Sequence, residues 1–299
     1  MIFLIGSIIL SSYLTIAFKV CDRFRIDKFQ AIVFNYLACA VTGCVVSGTV
    51  PSFAESAASP WFAWALVMGA AFIVIFNLIA LTVQKAGLAI ASVASKLSLI
   101  IPFVFSILFY NDPAIPMKIV GVILALVAVV LTLYPHPSPA ETGAGKTSTF
   151  NLQVILLPFV VFVTTGLLDT LIKYVEQYFI TPANNDQYLI TSFGAAFLLG
   201  LLYLVFLLIT GKTKLSAKAF VAGVLIGIPN YFSIWCLMKV LKEYSTISSV
   251  IIPVNNLGIV LFSAMVAWLF FKERLAKINW IGIVLAIIAI ALIAFGKEI

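Results

Sequence analysis

Apolar runs of about 18 to 25 residues recur from one end of this chain to the other, and each can cross a hydrocarbon core of roughly 30 Å. Lipid offers no water to backbone N–H and C=O groups, so a spanning segment must satisfy them within its own helix. A soluble reading fails for want of charge. The chain is 63% hydrophobic and 10% charged, with a mean hydropathy of +1.19, and a water-facing surface needs far more polar cover. A membrane β-barrel would show short alternating segments instead. The class is an all-α polytopic membrane protein.

Ten transmembrane helices are expected, near 1–19, 29–49, 61–83, 88–110, 116–134, 151–174, 187–210, 217–241, 246–271 and 278–296. The long non-apolar stretch is Tyr134–Phe150, YPHPSPAETGAGKTSTF, where Pro135, Pro137, Pro139, Gly143 and Gly145 stop any regular element. It divides the chain into residues 1–134, a linker over 135–150, and residues 151–299. Gly143-Ala144-Gly145-Lys146-Thr147 matches only the end of a phosphate-binding loop. Ala140 stands where its first glycine is required, so nucleotide hydrolysis is set aside.

The two long segments answer one another in order. Ser11, Thr15, Lys19 and Asp22 end the first helix; Thr165, Asp169, Lys173 and Glu176 end the sixth in the same register. Gln30, Asn35, Tyr36, Ala38 and Gly43 correspond to Gln187, Ser192, Phe193, Ala195 and Gly200, and Asn77 corresponds to Asn230. FYNDPAIPMKIVGVILALVAVVL (109–131) pairs with FFKERLAKINWIGIVLAIIAIAL (270–292), aligning Gly121 with Gly282. A unit with an odd number of spans must insert its second copy upside down. The reading is therefore two inverted five-helix repeats, an architecture suited to alternating access around a midplane site.

Glu273-Arg274-Leu275 followed by WIGIVLAIIAIALIAFG resembles the ending of EamA-type members of the drug/metabolite transporter (DMT) superfamily. The resemblance covers nearly the whole chain. The first copy departs from it, having Asn111-Asp112-Pro113 where the second has Lys272-Glu273-Arg274. The resemblance implies a multi-pass protein of the bacterial cell (inner) membrane that carries small metabolites through a central cavity lined by both halves. It also implies cytoplasmic termini. Charge argues the reverse: odd-numbered connections hold Arg23, Arg25, Lys28, Lys212, Lys214 and Lys272 among others, the opposite side only Lys118, Lys173, Lys239, Lys242 and Lys297. The positive-inside rule then puts both termini outside.

Ionisable groups within the membrane mark function by default. Lys96, near the middle of span four in ASVASKLSLIIPF, shares a face with Ser92 and Ser95 and is too deep to snorkel. It suits a carboxylate or phosphate of a substrate, or else a structural pair. Asp169 forms a stripe with Thr165 and Lys173. Asp169 and Lys173 read either as an i,i+4 pair or as an ion- or proton-coupling site. Counting residues from the helix midpoints separates Asp169 from Lys96 by roughly 13 Å in depth, so those two are not expected to meet. Asn35, Asn77, Asn230, Asn255 and Asn256 are amides in hydrocarbon that need partners, either a substrate or a neighbouring helix. Tyr13 and Trp235 are plausible cavity walls. Gly223-x-x-x-Gly227 reads as close helix packing.

The function expected is a secondary transporter or facilitator of a small polar, anionic or zwitterionic metabolite. A cation or drug exporter of the same fold is the alternative within transport, opposed by Lys96. An integral-membrane enzyme is the alternative from another class, and it lacks parts: the single histidine, His136, falls in the linker. A non-transporting receptor would give no solute flux. No catalytic residue, metal site or cofactor is assigned. The four cysteines have no metal spacing. The net charge of +7 sits in short loops, not in a nucleic-acid surface. The partners expected are a metabolite and membrane lipid, with a monomer or homodimer as the assembly.

Overall fold

The structure is a computed structural model, and it describes residues 2–110, 116–132, 152–181, 184–243, 248–272 and 276–295. The linker expected at 135–150, Asn111-Asp112-Pro113 and Glu273-Arg274-Leu275 lie outside the described residues. Every regular element among the described residues is helical. In order they are α1 (Ile2–Arg23), α2 (Lys28–Ser47), α3 (Phe53–Ala57), α4 (Phe62–Ala86), α5 (Leu88–Leu97), α6 (Ile100–Tyr110), α7 (Pro116–Thr132), α8 (Leu152–Phe179), α9 (Asn185–Ile209), α10 (Ala217–Glu243), α11 (Ser248–Leu269) and α12 (Lys277–Phe295).

Seven stretches of the described residues are long and apolar enough to cross a membrane: α1, α2, α4, Leu88–Phe105 across α5 and α6, α8, α9 and α10. The chain is a multi-pass membrane protein. Shorter apolar stretches, Pro116–Ala128, Val254–Leu269 and Lys277–Ile293, occupy the remaining expected positions. Two boundaries differ informatively from the hydropathy reading. The sixth expected span runs on to Phe179, because its polar stripe follows one helical face and does not interrupt the backbone ladder. The fourth is two helices, for a reason taken up below.

The helices pack across the chain's two halves. Close pairs are α7 with α12, α2 with α9 and α10, α1 with α10 and α11, α4 with α8 and α9, and α5 with α8 and α11. Small residues make the closest approaches possible. A Cβ on Gly69 of α4 would fall 2.7 Å from Ala196 N and 2.8 Å from Ser192 O of α9, and one on Gly227 of α10 would fall 2.6 Å from Ala38 Cβ of α2. The expected packing role of Gly223 and Gly227 is what their surroundings display.

Three apolar cores result, a small one of Trp61, Ala65, Met68, Val175 and Tyr188 and two larger ones. Of the larger two, one gathers Leu88, Val93, Leu97, Phe162, Val260 and Ile283; the other gathers Phe18, Ile32, Tyr36, Ala91, Phe193 and Ile226. Helix α5 contributes to both of these, so it lies between them.

Outside the bundle, the buried Gln30 ties the α1–α2 turn to the α9–α10 loop. Its Nε2 lies 2.9 Å from Lys214 O and 3.1 Å from Thr213 Oγ1, and its Oε1 accepts from Ser216 N at 2.9 Å. Asp27 caps α2 by accepting from Gln30 N at 3.1 Å.

Candidate functional site

The break in span four is built by one residue. Pro102 has no N–H, so the Ser98 carbonyl cannot receive its usual i+4 bond; it accepts instead from Ile101 N at 2.9 Å. Helix α5 therefore ends at Leu97, Ser98–Leu99 form a turn, and α6 begins with Pro102 in its first turn, where proline is tolerated. Interrupted helices are the usual means of presenting polar groups at membrane depth.

Lys96 stands just before this break. It is half-buried, with Ser92 and Ser95 on the same face at i−4 and i−1. Ser95 Oγ donates to Ser92 O at 3.1 Å and Ser98 Oγ to Ser95 O at 2.6 Å. Ser98 Oγ also lies 3.3 Å from Asp169 Oδ2. A hydroxyl has one proton, so it serves one acceptor at a time.

Asp169 thus belongs at the break, two residues from Lys96, and the 13 Å separation argued from the sequence is wrong. Part of the cause is the length of α8. With its C-terminal end at Phe179, the helix midpoint moves about three residues, roughly 4.5 Å, toward Asp169. Gly166 lets the two helices meet there: a Cβ on it would fall 2.7 Å from Ile101 Cβ, so α8 and α6 approach closely one turn before Asp169. Among the described residues, the side-chain partner of the Asp169 carboxylate is Ser98. Lys173 is exposed and engaged in a contact of its own.

Among the described residues, buried polar atoms without protein partners occur on α2 and α9 (Asn35 Nδ2, Tyr188 Oη and Thr191 Oγ1) and, in greater number, on four further helices. The latter are Ser92 Oγ on α5, Thr165 Oγ1 on α8, Asn255 Oδ1 and Ser263 Oγ on α11, and Ser7 Oγ and Ser12 Oγ on α1. These four helices pack successively, α1 on α11, α11 on α5 and α5 on α8. Buried polar groups left unpaired cost about 1–3 kcal/mol each.

The remaining predicted residues separate. Asn35 and Asn230 are buried and bonded to each other across α2 and α10, Asn230 Nδ2 donating to Asn35 Oδ1 at 3.2 Å. Cys39 Sγ lies 3.3 Å from Gly227 O in the same knot. They hold a tight interface together. Asn77 Nδ2 donates to Ile73 O of its own helix at 2.7 Å. Asn255 is buried and Asn256 half-buried on α11. Tyr13 donates to Leu225 O at 3.3 Å and lines a groove between α1 and α11, away from the break. Trp235 packs edge-on against Phe3 and carries Lys239 over its ring at 5.1 Å.

Ser98 escaped the sequence reading. Its signal was present: serines at 92, 95 and 98 followed by a proline four residues after the last.

Comparison with known proteins agrees with this architecture. A Haemophilus influenzae protein described as uncharacterized is 25% identical over 296 residues, 96% of this chain and 95% of its own. A crystal structure described only as that of a protein superposes with a TM-score of 0.61 at 14% identity, covering 97% of this chain and 94% of the other, and establishes likeness of fold. The sequence model of the EamA-like transporter family matches residues 152–295. Over these residues, a little under half of its length, the chain is similar to the EamA-like transporter family.

Proposed function

We propose that the protein is a secondary transporter or facilitator that moves a small anionic or zwitterionic metabolite across the bacterial inner membrane. The observation that carries this reading is the helix break at Ser98–Leu99, where Asp169 reaches Ser98, two residues from Lys96. An unpaired ammonium inside the membrane costs roughly 2.5–3.5 kcal/mol on insertion scales. A substrate carboxylate or phosphate recovers that cost while bound. Lys96 contacts the anionic group; Asp169 and Ser98 accept and donate to whatever polar or cationic group the substrate carries beside it; Ser92, Thr165 and Asn255 supply further bonds.

Alternating access follows from the inverted repeat, residues 1–134 and 151–299 joined by the linker at 135–150. The packing supports that reading. Exchanging the halves turns the pair α1–α10 into α8–α4, α2–α10 into α9–α4, and α1–α11 into α8–α5, and each of these pairs is in contact. The close glycine contacts follow the same exchange, Gly69 of α4 against α9 and Gly227 of α10 against α2. Helices α2, α9 and α10, held by Gly227 and the Asn35–Asn230 bond, serve as scaffold. Helices α1, α5, α8 and α11 carry the site. The assembly is a monomer or homodimer.

A thermal-shift screen of the purified protein against metabolites, followed by flux of each hit in proteoliposomes, tests this. A small anion or zwitterion should raise the apparent Tm, as any ligand selective for the folded state does, and should cross the vesicle membrane. If organic cations alone stabilise the protein and are moved, the substrate class is wrong.

A further inference from the structure

A groove of about 460 Å³ runs between α1 and α11 on the outside of the bundle. Ile9, Tyr13, Ile16 and Val20 form its α1 wall at helical spacing, and Phe270 and Phe271 close the same end of the α11 wall. The Tyr13 hydroxyl is spent on Leu225 O, which leaves its ring to the groove. From Ile9 to Val20 the wall measures about 16 Å at 1.5 Å per residue. That is close to half of the roughly 30 Å hydrocarbon core, one leaflet.

The groove ends in positive charge. Arg23 lies three residues beyond Val20 and seven beyond Ile16, on the same face of α1, and is exposed. Lys272, exposed, follows Phe271 directly. Among the described residues two that are not glycine adopt left-handed backbone, Arg25 with φ 53° and Lys272 with φ 51°. One follows the end of α1 and the other the end of α11. Glycine is the residue that relieves such a position, and Gly48 and Gly211 do so elsewhere in this chain. Here the chain sets basic side chains instead. The nearby Asp22 does not neutralise them, since it pairs with Lys28 at 2.7 Å.

We propose that this groove holds one acyl chain of an acidic phospholipid, whose headgroup phosphate rests on Arg23 and Lys272 with Arg25 beside it. Charge complementarity selects the occupant: an apolar slot one leaflet long, opening onto three exposed cations that no acidic side chain pairs among the described residues, fits an anionic lipid better than a zwitterionic one. The wedge lies between α1 and α11, two helices that also carry buried polar atoms of the transport site, so its occupancy bears on their separation. The proposal does not depend on the identity of the transported substrate.

Native mass spectrometry of the full-length protein, released from micelles containing either phosphatidylglycerol or phosphatidylcholine with identical acyl chains, tests it. Wild type should retain the acidic lipid at least tenfold over the zwitterionic one. Arg23→Gln with Lys272→Gln should abolish that preference. Ile16→Trp, which fills the slot, should reduce retention of both lipids, with circular dichroism confirming that the helices persist. Soluble glycerol phosphate should not compete. Equal retention of the two lipids by wild type, a preference surviving in the double variant, or full competition by the soluble headgroup would overturn the assignment.

Discussion

Replacing Lys96 by methionine keeps the length of the side chain and removes its charge. The insertion cost relieved is about 2.5–3.5 kcal/mol. The attraction lost is that to Asp169. Unit charges about 4 Å apart attract by about 4 kcal/mol at an effective dielectric near 20, which serves as the upper bound. The two terms nearly cancel, leaving a loss of no more than about 1.5 kcal/mol. At about 2–4 °C per kcal/mol for large domains, Tm should fall by no more than about 6 °C. A lysine whose purpose is structural behaves otherwise, since breaking a buried pair costs about 3–5 kcal/mol. Differential scanning fluorimetry of the ligand-free protein in detergent distinguishes the two. A fall of 10 °C or more in Lys96→Met would refute the assignment of Lys96 to a binding role.

Other consequences concern packing and orientation. Gly258→Ala should lower stability by about 1–3 kcal/mol through overpacking, because its Cβ would fall 2.9 Å from Ile8 Cγ1 and 3.2 Å from Ile8 Cγ2. Adding Ile8→Ala should restore most of that loss, whereas Gly227→Ala, which meets the Asn35 backbone, should resist rescue by side-chain truncation; thermal melts of the single and double variants decide. Gln30→Ala strips partners from Ser216 N and Lys214 O and should cost about 1–3 kcal/mol, read as a lowered Tm and earlier proteolysis of the α9–α10 loop. A reporter active only in the cytoplasm, fused after Ile299, should be silent if the Lys and Arg distribution sets topology. Activity would instead place the termini inside, as in ten-helix relatives.

Much of the fold was legible because hydrocarbon permits so few solutions. Apolar runs and short loops locate the helices without any tertiary knowledge. What escaped depends on contact between segments far apart in sequence. Hydropathy does not register that Pro102 robs the Ser98 carbonyl of its donor, so span four read as continuous. It set the end of the sixth span at 174, and those few residues account for part of the misplacement of Asp169 in depth. The asparagines show the same limit. Composition marks Asn35 and Asn230 as groups in need of partners, but only packing reveals that each is the other's. Tyr13 was assigned to a cavity by its aromatic character, and the register of α1 turns it to the outer groove instead. Lys96 was legible because a charge at that depth has so few bland explanations.

Uptake or exchange of a labelled substrate by purified protein in proteoliposomes, comparing wild type with Lys96→Ala and Lys96→Arg at matched reconstitution, bears most directly on the proposed site. Lys96→Ala should lose at least a hundredfold of the flux while Lys96→Arg retains a measurable part, because arginine keeps the charge but not the geometry. Flux at the wild-type rate in Lys96→Ala would remove the helix break from the transport mechanism.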